Sequence, residues 1–132
     1  MKESGNPDVT NVVDQTDKCP VTFFVRLVGG KWKPIILFHL SKGPRRFGEL
    51  DVRIDGLSRK VLTDQLKELE QDGLVIRKAY KEIPPRVEYE LTAFGLALLP
   101  VFESMSNWSH FYNEHYIQDA DYKRNNLCTQ YK

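Results

Sequence analysis

The chain has 132 residues, 41% hydrophobic and 28% charged, with a net charge of +1. That size and balance fit one globular domain, and no apolar run approaches the ~20 residues that a membrane-crossing helix needs. Cys19 and Cys128 form no CxxC pair, and His39, His110 and His115 lack ligand spacing, so no disulfide scaffold, metal site or cofactor is expected.

Met1 to Asp17 is polar and acidic, with no apolar stretch of signal-peptide type, so the expected location is the cytoplasm. Residues 1–18 read as a flexible arm, with Gly5, Asn6 and Pro7 together and little to bury. Folding is expected to start at Pro20, a residue suited to a first helical position. Phe23, Phe24, Leu27 and Val28 then fall on one face of a helix that Gly29-Gly30 ends. A second helix is expected from Trp32 to Ser41, with Ile35, Ile36, Leu37 and Leu40 toward the core and Gly43-Pro44 as its stop. A short third helix, Phe47 to Ile54, would bury Phe47 and Leu50.

The fourth helix is the most clearly marked. Ser58 is a good N-cap, Leu62, Leu66 and Leu69 form an i, i+4, i+7 stripe, and Gly73 sits where a left-handed C-terminal residue belongs. Away from the stripe lie Arg59, Lys60, Thr63, Asp64 and Lys67. The periodicity then changes to two β-type runs, Leu74 to Tyr80 and Val87 to Leu91. Between them KEIPPR, residues 81–86, reads as a hairpin tip, because Pro84-Pro85 cannot donate ladder hydrogen bonds. Thr92 would cap a last helix from Ala93 to Tyr116, kinked at Pro100, followed by a polar tail over 117–132.

This order makes an α+β, mainly helical domain at 19–116: a winged helix-turn-helix. A short helix, a turn containing Gly56 and a longer amphipathic helix form the helix-turn-helix. The second helix of such a pair enters the major groove of double-stranded DNA with its N-terminal residues nearest the bases. Charge distribution agrees: from Lys31 to Arg86 there are 13 Lys or Arg against 8 Asp or Glu, while the flanks hold 6 and 10. The expected DNA-contacting set is Arg46, Ser58, Arg59, Lys60, Thr63 and Lys67, joined by Lys81 and Arg86 from the hairpin. A basic helix face is also what ordinary solvation produces, so a protein–protein module on the same scaffold is the alternative. No Ser-His-Asp, Cys-His or phosphate-loop pattern is present, so no enzyme is expected.

The last helix is more apolar than one small core requires, through Leu99, Phe102, Met105, Trp108, Phe111 and Tyr112. A patch of that kind marks a partner site, and a homodimer is the commonest solution. The alternative is that these residues pack on the first helix of their own chain.

The stretch CPVTFFVRLVGGKWKPIILFHLSKGPRRFGEL (19–50), followed by SRKVLTDQLKELEQDGLVIRKAY (58–80), PPRVEYELTAFG (84–95) and LLP (98–100), resembles the HxlR-type regulators. These are winged-helix transcriptional regulators related to the MarR group. The resemblance implies a homodimer on a palindromic operator, paired through its N- and C-terminal helices, which adds Phe23, Phe24 and Leu27 to the interface. It also implies that Cys19 is a candidate sensor of electrophiles or oxidants, as in some members. Lys18 and the N-terminus of the first helix would favour its thiolate. The other reading of Cys19 is a small residue buried at a dimer contact. Disulfide-switch members use a second cysteine, and the one here, Cys128, lies beyond the region of resemblance.

Overall fold

The computed structural model describes residues 18–118. The expected N-terminal arm and C-terminal tail, with Cys128, therefore lie almost wholly outside the described residues. The elements are α1 (Pro20–Val28), α2 (Trp32–Leu40), β1 (Arg45–Arg46), α3 (Phe47–Arg53), α4 (Arg59–Gln71), β2 (Val75–Tyr80), β3 (Arg86–Leu91), α5 (Ala93–Leu96) and α6 (Leu99–Tyr112). A π-helical turn (Asn113–Ile117) continues α6.

α2 is hydrophobic around most of its circumference, and such a helix must be covered on most sides. It buries Ile36, Leu37 and Leu40, and with them Lys33 and His39. Burial, together with the nearby Arg53 and Arg45 charges, holds the His39 imidazole below its usual pKa and favours its neutral form. Leu62, Leu66 and Leu69 of α4 join the α2 residues in one core, with Leu50 and Ile54 on one side and Leu74, Val75 and Leu91 on the other.

α4 begins and ends as its sequence dictates. The Ser58 hydroxyl accepts from the Val61 N–H at 3.1 Å. At the far end, Gly73 takes φ +78°, a conformation glycine adopts without penalty. The Leu74 N–H then reaches the Leu69 carbonyl at 3.0 Å and the Gly73 N–H reaches Glu70 at 3.1 Å. Those two bonds are a Schellman motif and turn the chain into β2. β2 and β3 pair antiparallel from Val75↔Leu91 to Tyr80↔Arg86. β1 pairs with the other side of β3 through Arg45↔Tyr89 and Arg46↔Glu88, so the sheet order is β1-β3-β2. The Thr92 hydroxyl donates to the Gly73 carbonyl at 2.5 Å and accepts from the Gly95 N–H at 3.2 Å, tying α5 back to the end of α4.

Several expectations need correction. The last helix is not continuous: it breaks at Ala97 and Leu98, and Pro100 sits in the first turn of α6, where its missing N–H leaves no bond unmade. Its end is a π turn rather than α-helix to Tyr116. Arg86 is the first residue of β3 rather than part of the loop. β1 was not expected, since two residues show no periodicity. Phe102, expected in the pairing face, is only 2% exposed and lies 5.3 Å from the Phe38 ring, inside its own chain's core. It leaves the pairing set.

Candidate nucleic-acid interface

α3, the turn through Gly56 (φ +82°) and α4 form the helix-turn-helix, and the β2–β3 hairpin stands beside it as the wing. The leucine stripe faces α4 inward, so the opposite side presents Lys60, Thr63 and Lys67. Lys60 pairs with Asp64 at 3.1 Å across one helical turn, both side chains well exposed. Such a pair contributes only a few tenths of a kcal/mol, about 0.3–0.5, so it does little to hold Lys60 away from a ligand. Lys67 is exposed and Thr63 half-buried, its hydroxyl donating to the Arg59 carbonyl at 2.8 Å. Ser58 is spent on its capping bond, which leaves its hydroxyl proton to donate elsewhere.

Arg59 is held rather than loose. Its guanidinium donates to Asp51 of α3 at 2.6 Å and lies 4.8 Å over the Phe47 ring. The contact fastens the start of α4 to α3 and leaves the outer part of Arg59 in solvent. Arg46, also exposed, precedes α3, and its backbone N–H donates to Glu49 at 2.8 Å.

In the wing, Lys81 is exposed, while Arg86 is enclosed by partners. The Arg86 guanidinium donates to both Glu82 oxygens, at 3.1 and 2.6 Å, and to Glu88 at 2.7 Å. It also lies 3.8 Å over the Tyr80 ring. The two carboxylates raise the Arg86 pKa further, and Arg86 in turn holds the Glu82 carboxyl below its usual value. Lys78 pairs diagonally with Glu90 at 2.8 Å, a hydrogen bond that raises the ammonium's pKa. One face of the wing thus sets Lys78 and Arg86 against three carboxylates, Glu82, Glu88 and Glu90, and Arg86, expected to contact DNA, is engaged by two of them. Sequence reading missed Asp51, Glu82 and Glu88. The i, i+4 spacing of Glu82 and Arg86 was the available signal for one of them.

The remaining apolar surface lies elsewhere. On α6, Met105, Trp108 and Phe111 are about half exposed or more, and the Trp108 ring stacks on Tyr112 at 4.9 Å. Tyr112 in turn meets Tyr116 at 5.1 Å. Leu99 is half-buried against the core. On α1, Phe23 is exposed, while Phe24 and Leu27 are half-buried. Cys19 is exposed and forms the N-cap of α1, its carbonyl accepting from the Phe23 N–H at 3.0 Å. No described helix is long and apolar enough to cross a membrane.

Comparison with known proteins agrees with this architecture. The family model described as HxlR-like helix-turn-helix matches residues 27–117. The HTH-type transcriptional regulator YdeP of Bacillus subtilis is 44% identical over 101 residues, which cover 76% of this chain and 79% of YdeP. Among solved structures, the redox regulator HypR in its reduced form is 40% identical with a TM-score of 0.70, covering 76% of this chain and 98% of that one. The reduced form of the transcriptional regulator YodB from B. subtilis is 35% identical with a TM-score of 0.64, covering 78% and 99%. The chain belongs to the HxlR-like helix-turn-helix family of winged-helix transcriptional regulators.

Proposed function

We propose that the protein acts as a homodimer that reads a two-half-site operator in double-stranded DNA, placing α4 of each protomer in the major groove. The observation that carries this reading is the division of α4 into a buried leucine stripe and an outward face of Lys60, Thr63 and Lys67. Side chains on such a helix reach base edges, while Arg46, Arg59 and Lys81 supply phosphate contacts. Phe23, Met105, Trp108, Phe111 and Tyr112 supply the pairing face, flanked by Phe24, Leu27 and Leu99. Two-fold pairing sets the half-sites about one helical turn apart. The reading places the protein in the cytoplasm with the DNA and assigns it no catalytic role.

Duplexes selected from a random library by the wild-type protein provide the test. Anisotropy titrations are expected to show a preference for the selected sequence over a scrambled one, and steep weakening as salt rises. Sedimentation is expected to show a dimer that Trp108→Glu converts to monomer. Salt-independent or absent duplex binding with an intact dimer would favour a protein–protein module instead.

A second reading concerns control. Cys19 is exposed at the N-cap of α1 beside Lys18, and the structural relatives include a protein named as a redox regulator. A helix N-terminus and a neighbouring ammonium both favour the reactive thiolate. Diamide in the presence of a low-molecular-weight thiol, which joins that thiol to Cys19 as a mixed disulfide while diamide takes up the two electrons and two protons, is expected to change the affinity of the wild-type protein for its selected duplex and to leave Cys19→Ser unaffected. Equal affinity before and after Cys19 modification removes the sensor role.

A further inference from the structure

The buried leucines face α4 inward and set its coarse orientation, and two ion pairs tie its ends to α3 and α2. At the N-terminal end, Arg59 reaches Asp51 of α3 at 2.6 Å. Toward the other end, Glu68 is bound at 2.7 Å by Lys33, which belongs to α2 and lies outside the helix-turn-helix. At about 100° per residue, Glu68 lies on the flank of α4, between the outward Lys67 and the inward Leu69. A tether on that flank resists roll, the one motion that changes which side chains face outward.

Lys33 is an unusual residue to find there, because its side chain is only 8% exposed while that of Glu68 is 51% exposed. Burying an ammonium is costly, and an apolar side chain of similar length serves a core as well or better. What an apolar side chain cannot provide is the directed bond to Glu68. The neighbouring residues reinforce the contact. A Cβ on Gly56 would stand 3.8 Å from the Trp32 ring, so Trp32 lies under the helix-turn-helix turn. The Lys31 ammonium sits 4.6 Å over the same ring. The first turn of α2 therefore touches both the turn and the second helix of the DNA-reading unit, directly after the Gly29-Gly30 junction with α1.

We propose that Lys33 is a positioning residue for DNA recognition: through Glu68 it sets the roll of α4 and thereby the aim of Lys60, Thr63 and Lys67. The proposal rests on the DNA-reading role given above. A binding constellation must be held within roughly 10–20° to discriminate between ligands, so loss of the tether is expected to lower sequence discrimination before it lowers general affinity for DNA.

The experiment compares wild type, Lys33→Met and Glu68→Gln on a duplex selected by the wild-type protein and on a scrambled duplex of equal length. Lys33→Met is expected to keep the thermal midpoint near wild type, because the Glu68 left behind is half in solvent. Its affinity for the selected duplex is expected to fall roughly tenfold, while scrambled-duplex affinity and salt slope stay within about twofold. Glu68→Gln keeps a weaker, neutral acceptor beside the buried Lys33 ammonium and is expected to lower the thermal midpoint and to show a smaller loss of discrimination in the same direction. It also decides the matter if Lys33→Met fails to fold. Wild-type discrimination in Glu68→Gln together with either wild-type discrimination or unfolding in Lys33→Met overturns the proposal, as does an equal loss on both duplexes. If the wild-type protein selects no duplex at all, the DNA-reading role fails first and this inference falls with it.

Discussion

Helix α4 and the β2–β3 wing both carry cations outward, yet they hold them differently. On α4 the leucines do the anchoring from beneath, so Lys60 and Lys67 are left to solvent, with one weak exposed pair to Asp64. In the wing no leucine lies under the tip, and Arg86 serves as the anchor itself, gripped by Glu82, Glu88 and the Tyr80 ring. A count of Lys and Arg treats the two regions alike. What separates them is whether the apolar core or the charge itself holds the element in place, and that decides which charges remain available to phosphates.

The leucines beneath α4 carry the largest expected effect. Leu66→Ala removes a fully buried side chain from under α4 and is expected to destabilise the fold by about 2–5 kcal/mol, read in denaturant titration. A loss well under 1 kcal/mol would mean that α4 is not seated from beneath. Lys60→Ala tests the available charge: selected-duplex binding is expected to weaken by about 1–3 kcal/mol with stability unchanged. Removing the cap with Ser58→Ala is expected to cost about 1 kcal/mol of stability in the same titration.

In the wing the expected effects are smaller. Glu82→Gln frees Arg86 in part, so the salt slope of scrambled-duplex binding is expected to steepen by up to about 0.9, the value of one added phosphate contact. The same change made in an Arg86→Gln background is expected to leave the slope where it was. An equal gain in both backgrounds would show that Glu82 merely repels DNA and does not act through Arg86. The pH dependence has the matching sign. Because Arg86 lowers the Glu82 pKa in the folded chain, the contact contributes fully above the ordinary carboxylate value near 4.3 and is lost as pH falls through the lowered one. Carboxylate chemical shifts of Glu82 followed below pH 5 check this.

How much of this was legible in the sequence depended on the range of the interaction. α4 was legible because its signals are local: a Ser58 cap, three leucines at helical spacing and Gly73 past the end. The hairpin was legible from Pro84-Pro85 and the β-type runs around them. β1 was not, since a two-residue strand exists only by virtue of Glu88 and Tyr89 across from it. Phe102 was misassigned because α6 is apolar on two faces, and composition does not say which face its own chain uses. The Lys33–Glu68 contact joins residues 35 positions apart, so no periodicity could reveal it. Sequence places a kink at Pro100 because the break at Ala97 and Leu98, which makes it a first-turn residue, carries no Gly or Pro of its own.

One titration series decides whether α4 is the DNA-reading element. Affinity of wild type and Lys60→Ala for the selected and the scrambled duplex is measured across a range of salt. Linear, steep salt dependence is expected for both proteins, with a Lys60→Ala loss that is several-fold greater on the selected duplex than on the scrambled one. Identical losses on the two duplexes, or no salt-dependent binding by the wild-type protein, would contradict that role for α4.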